Sequence, residues 1–171
     1  MIDKYYYLIA SLPYLNIEQK PLISDEYFLQ ECQNWLTDKD KSIILDATID
    51  SLQIKEGDPE ALREWKVFDI NLRKKLSDIR ILKKQNLNIH DKLHGAIKEI
   101  FEQQTPLLME KRLCRIRWDF LEDTAYKYNF DINALIVYFL KLQIIKRLFV
   151  FDKEKGKQAF KGLTKVSVQY G

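Results

Sequence analysis

The sequence predicts an all-α protein, an irregular bundle of about seven helices in a single domain over residues 1–171. Three observations carry that reading. Only 5 glycines and 4 prolines occur in 171 residues, and these are the main punctuators of chain direction, so long regular elements are expected. The apolar residues Leu62, Trp65, Phe68, Leu72, Leu76, Ile79 and Leu82 recur at spacings of 3, 3, 4, 4, 3 and 3, which is one stripe over about six turns of helix. The stretch 131–151, DINALIVYFLKLQIIKRLFVF, is apolar almost all the way round a helix, so it needs more than one neighbour to cover it. A membrane span needs roughly 20 mostly apolar residues. Lys141, Gln143, Lys146 and Arg147 interrupt this stretch and leave only 134–140 unbroken, so protein rather than lipid is expected around it.

Helix starts and stops recur along the chain. The run Tyr5 to Ala10, bounded by Ser11 and Pro13, has no second strand to pair with and is read as helical or extended. Ser24 caps a helix to about Leu36 with Phe28, Cys32 and Trp35 on one side. Thr37 opens the next, with Asp38 and Asp40 in its first turn, where carboxylates favour the positive end of the helix dipole, and with Ile43, Ile44 and Ala47 as its apolar face. Gly57-Asp58-Pro59-Glu60 reads as an N-cap Asp followed by a first-position Pro, opening the long helix whose opposite side carries Lys66, Arg73, Lys74, Arg80 and Lys84. Residues 86–88 stop that helix, and Asn88 caps one carrying Leu93, Ile97 and Ile100. Thr105-Pro106 starts a helix to about Tyr128. Its Met109, Leu113, Ile116 and Phe120 share one side, and Cys114, Trp118, Leu121 and Ala125 another, so it too is expected to be covered twice. Asp131 caps the interrupted apolar helix. A short amphipathic segment from Asp152 to Lys161 follows, and the tail after Gly162 is read as frayed.

Composition narrows the class. Hydrophobic content of 46% and charged content of 31% are those of a globular chain rather than a disordered one. The first residues lack a signal-peptide pattern. Cys32 and Cys114 give no disulfide framework and are expected as reduced, buried thiols in a cytoplasmic protein. The net charge of +3 hides an asymmetry: residues 1–60 hold 5 Lys/Arg against 12 Asp/Glu, and residues 61–171 hold 23 against 13. That split predicts either intramolecular complementarity or two differently charged contact surfaces, and it marks residue 57 as the candidate subdomain boundary.

Little in the sequence points to catalysis, a metal or a cofactor. His90 and His94 share a helix face, but two imidazoles do not close a zinc shell, and no other histidine exists to help. There is no nucleophile elbow and no glycine-rich phosphate loop. Acids cluster at helix starts, where capping accounts for them. Arg115 and Asp119, four apart, predict a salt-bridged face rather than an acid–base pair. Two cationic stretches remain: Arg73, Lys74, Lys75, Arg80, Lys83 and Lys84, and Lys111, Arg112, Arg115 and Arg117. Charge of this kind serves nucleic-acid binding, the alternative function, but acids are interleaved with it. A solvated face or an acidic protein partner is the preferred reading, and no nucleic-acid partner is expected.

Several stretches, taken together, carry a resemblance. They are Tyr5-Tyr6-Tyr7-Leu8-Ile9-Ala10-Ser11-Leu12-Pro13, Ser24-Asp25-Glu26-Tyr27-Phe28-Leu29, Arg117-Trp118-Asp119-Phe120-Leu121, and the run from Tyr138 to Arg147 followed by Asp152-Lys153-Glu154-Lys155-Gly156. In these the chain resembles a bacterial family of unknown function that is encoded among the V-type ATPase subunits and regarded as similar to the C-type socket protein of that complex. The resemblance implies an all-helical, non-catalytic part of a rotary ATPase, similar to part of the socket protein's fold. This chain is shorter than the full socket protein and lacks its threefold helical repetition. The implied role is peripheral: coupling ion transport by linking the central stalk and the rotor ring, with membrane contact only through the complex. Exposed cations beside the two most buried helices, Arg112, Arg115, Arg117, Lys141, Lys146 and Arg147, are the expected partner contacts.

Overall fold

The computed structural model describes residues 3–85 and 95–150. These form seven helices with no strand among them: α1 (Asp3–Ser11), α2 (Asp25–Trp35), α3 (Asp38–Asp46), α4 (Glu60–Lys84), α5 (Gly95–Phe101), α6 (Pro106–Ala125) and α7 (Ile132–Val150). The all-α expectation holds. The helix stop at 86–88, the Asn88 cap, Leu93, the His90/His94 pair and everything from Phe151 onward lie outside the described residues.

Local chemistry sets most helix starts. Ser24 accepts the Tyr27 N–H at 3.2 Å, Thr37 the Asp40 N–H at 3.3 Å, Thr105 the Leu108 N–H at 3.2 Å and Asp131 the Ala134 N–H at 2.9 Å. Each satisfies one of the amides that a helix leaves unpaired in its first turn. The exception is α4. Asp58 does not cap it; Pro59 occupies the cap position with no side-chain bond. The capping acceptor comes instead from α7, whose Asn133 Oδ1 takes the Ala61 N–H at 3.1 Å. Asp58 is drawn away because Lys66, on the side of α4 expected to be solvated, is fully buried and needs a counter-charge. Its ammonium reaches Asp58 at 2.7 Å.

The run Tyr5–Ala10 is helical. Leu8 is completely buried, with Tyr5, Ile9 and Leu12 packed beside it, a spacing that puts all four on one helix face. On α2, Phe28 and Cys32 are buried as expected but Trp35 is not. The third buried position is Leu36, which continues the four-residue step, and Trp35 is rotated towards solvent. Helix α6 ends at Ala125, three residues short of the expectation, in a pair of turn bonds from the Lys127 and Tyr128 amides.

Two apolar cores result. The larger gathers Leu8, Phe28, Ile44, Leu62, Trp65, Trp118, Leu121 and the buried residues of α7. It draws on the chain both before and after residue 57. Helix α7 touches α1, α2, α3, α4 and α6, which is why it can be apolar on nearly every side. Phe28 stacks on Phe139 at 5.0 Å between ring centroids, and on Tyr138 at 5.6 Å. Gln143 fastens α7 to the end of α3, donating to the Ala47 carbonyl at 2.9 Å and accepting the Ile49 N–H at 3.2 Å. The smaller core joins Leu72 and Leu76 of α4, Ile100 of α5 and Leu113 of α6. Helix α6 therefore does have two covered faces, one in each core, and the stacked Phe68–Phe120 pair at 3.9 Å lies where they meet. No helix among the described residues is long and apolar enough to cross a membrane.

Candidate interaction surfaces

The six cations expected to face a partner are all paired within the chain, and two of them are buried. Arg117 is 9% exposed and its Nε lies 2.8 Å from Asp69, a fully buried carboxylate on α4. The other oxygen of Asp69 takes Arg73 Nε at 2.6 Å, and Arg73 also reaches Asp50. Lys141 is likewise 9% exposed, 2.7 Å from Glu122, with its ammonium 4.4 Å from the centre of the Trp118 ring. A cation over an indole face, with a carboxylate beside it, is a satisfied internal charge. Arg117 and Lys141 therefore serve the packing of α4, α6 and α7, and the expectation that they are exposed fails. A charge inside a mostly apolar helix signals burial as readily as contact, because the long aliphatic stem suits the core.

The other four keep partial exposure. Arg112 pairs with Glu99 of α5. Arg115 meets Asp119 at 3.4 Å, as its spacing predicts, and Glu18 at 3.5 Å. Lys146 lies 2.7 Å from Asp25, and Arg147 2.6 Å from Glu110. The Asp25 carboxylate holds the Lys146 ammonium above its ordinary pKa. The six side chains thus point towards acids on α2, α4, α5, α6 and the α1–α2 connection, and do not form one patch. Much of the charge asymmetry is spent inside the molecule: Glu18, Asp25, Asp50 and Asp58 from the acidic stretch meet Arg115, Lys146, Arg73 and Lys66 from the basic one.

Two surface features remain without such partners. Along the second half of α4, Lys74, Lys75, Arg80 and Lys84 are exposed with no ion-pair partner among the described residues. The second feature is aromatic and was not foreseen from the sequence. Tyr6 and Tyr7 of α1, Trp35 of α2 and Phe130 before α7 are 43–56% exposed, and they touch one another in a line. Phe130 lies 4.7 Å from Tyr6, Tyr6 5.7 Å from Tyr7, and Tyr7 stacks on Trp35 at 5.9 Å. Apolar side chains exposed singly are ordinary, but a contiguous row is not. The signal was present: Tyr6 and Tyr7 fall off the Tyr5–Leu8–Ile9–Leu12 stripe, and Trp35 falls off the Phe28–Cys32–Leu36 stripe.

Both cysteines are buried and unlinked. Burial, with a neighbouring acid in each case, pushes the Cys32 thiol up to about 12 and the Cys114 thiol to about 11, so neither is a nucleophile at neutral pH. No cluster of potential metal ligands occurs among the described residues.

Among protein families, residues 73–169 match the model described as "Protein of unknown function (DUF2764)". The match spans more than half of the chain, from the middle of α4 through α7, and the chain belongs to this family. No curated protein matches the chain. No solved structure matches it either.

Proposed function

We propose that this member of the DUF2764 family is a non-catalytic interaction protein, a peripheral component of a V-type ATPase that contacts its central stalk, its rotor ring or both. The observation that carries the reading is the way the resembling stretches pack. Tyr138 donates to the Pro13 carbonyl at 2.8 Å, and Phe28 stacks on Tyr138 and Phe139. Trp118 lies beneath the Lys141 ammonium. The described parts of those stretches, distant in sequence, meet in one core, so what they share with the socket-like family is a scaffold rather than a reaction centre. Densely packed helices locked by internal ion pairs suit a part that transmits force between neighbours. Association with the membrane would then come through the complex, from the cytoplasmic side.

The test is affinity purification of the tagged protein from solubilised membranes of its native host, with the co-purifying chains identified by mass spectrometry. Recovery of the ATPase catalytic and stalk subunits in fixed ratio is expected; their absence overturns the reading. The unpaired cations of α4 favour a second reading, a nucleic-acid-binding module, which predicts affinity for RNA or DNA falling steeply with salt. Single-strand binders set stacking aromatics within a cationic groove. Here the aromatic row stands on α1, α2 and residue 130, while the free cations stand on α4, so the protein-interaction reading is preferred.

A further inference from the structure

We infer that the outer face of α2, together with the aromatic row beside it, receives an arginine-bearing segment of another protein. This rests on the reading of the chain as an interaction protein and adds the chemistry of its partner. Tyr27, Glu31 and Trp35 recur every four residues, which aligns them along one side of α2. Tyr27 is 49% and Trp35 43% exposed, and Tyr7 extends the aromatic surface beyond Trp35. Glu31 sits between the two aromatic positions, half-buried, with no ion pair or hydrogen bond among the described residues. The other acids of α2 differ from it: Asp25 and Glu26 both have Lys146 within reach. Helix α2 carries three acids and no Lys or Arg of its own.

The charge decides the occupant. A purely apolar partner would cover Glu31 and strand a carboxylate, which costs several kcal/mol. A nucleic acid would meet it with like charge. A guanidinium instead stacks on an indole or phenol face and presents a planar fork of donors to a carboxylate beside it. An aromatic–carboxylate–aromatic series along one helix offers both contacts at once. Lysine supplies the charge but not the planar stacking, so arginine fits better.

The experiment replaces Tyr27 by the photo-cross-linking amino acid p-benzoylphenylalanine in the full-length tagged protein, expressed in its native host. After irradiation the cross-linked peptide is sequenced by mass spectrometry. The expected product joins this chain to a different protein, at a segment with an arginine within one helical turn of the cross-link. Its yield falls at least tenfold in both Glu31→Lys and Trp35→Ala backgrounds whose helical circular dichroism matches the parent. A cross-link to a second copy of this chain, to a segment without arginine, or with yield unchanged by Glu31→Lys overturns the inference, as does the absence of any cross-link. The identity of the captured protein separately decides the ATPase reading: an arginine segment from a protein outside the ATPase would keep this inference and sink that one.

Discussion

The interior around α7 and the outer row from Trp35 to Phe130 use the same residue types for opposite ends. Inside, Phe28 is stacked between α2 and α7, and the buried charges Lys66, Asp69, Arg117 and Lys141 each have a counter-charge within 2.8 Å. Outside, four aromatic rings touch only along their edges and faces, keep about half of their surface in solvent, and have an unpaired carboxylate on the neighbouring helix face. Aromatic side chains dominate the energetics of both cores and interfaces. The difference lies in completion: the interior is closed by the chain itself, and the outer row is left open. Changes in the first should therefore break the fold, and changes in the second should break an association and spare the fold.

The largest effect is expected at Asp69. Its replacement by Ala leaves Arg117 buried without a carboxylate, and removing one partner of a buried pair costs about 3–5 kcal/mol. Urea unfolding of the variant should show that loss in full. Asp58→Asn strands Lys66 in the same way, with a comparable loss at neutral pH and a distinctive pH dependence. Burial raises the Asp58 carboxyl, but the Lys55 N–H and the Lys66 ammonium more than offset it and hold it below the usual carboxylate range. A depressed folded pKa gives stability that is present above the unfolded value, about 4, and is lost as pH falls through the folded one. The gap between wild type and Asp58→Asn should therefore narrow when unfolding is measured at successively lower pH in that acid range.

A smaller cost, about 1 kcal/mol, is expected for Asn133→Ala, which removes the borrowed cap of α4. Hydrogen exchange should speed up at the first turn of α4 more than at its last. Smaller still is the effect of Lys146→Glu with Arg147→Glu on the isolated protein. These partly exposed pairs with Asp25 and Glu110 contribute up to about 1 kcal/mol each. Weakened assembly with an intact thermal transition would keep both residues at the interface; unchanged assembly would remove them from it.

How much of this was legible beforehand depends on what each residue answers to. The caps at Ser24, Thr37, Thr105 and Asp131 were readable because capping is a local transaction between a side chain and an amide three residues on. The doubly covered α6 was readable because two apolar stripes on one helix need two neighbours. The cap of α4 was not, because Asn133 lies 72 positions away and no local pattern reveals that Lys66 would be swallowed and claim Asp58. The contact surface was the least legible part. Arg117 and Lys141 read as exposed because they are charged, whereas their helices are enclosed enough to bury them beside Asp69 and Glu122. Trp35 read as core because it is large and apolar, although a shift of one position along α2 turns it outward.

The account's central claim, that a self-sufficient helical core presents an open aromatic row to a partner, is tested most directly by Tyr7→Ala combined with Trp35→Ala. Wild type and variant would be purified through the same tag from host membranes, the bound chains quantified, and urea unfolding of each isolated protein recorded. The account predicts that the variant loses at least nine-tenths of its co-purifying partner while unfolding changes by no more than about 1.5 kcal/mol, the scale of one aromatic pair. Equal recovery of the partner by both proteins, or a loss of recovery that accompanies collapse of the fold, would contradict it.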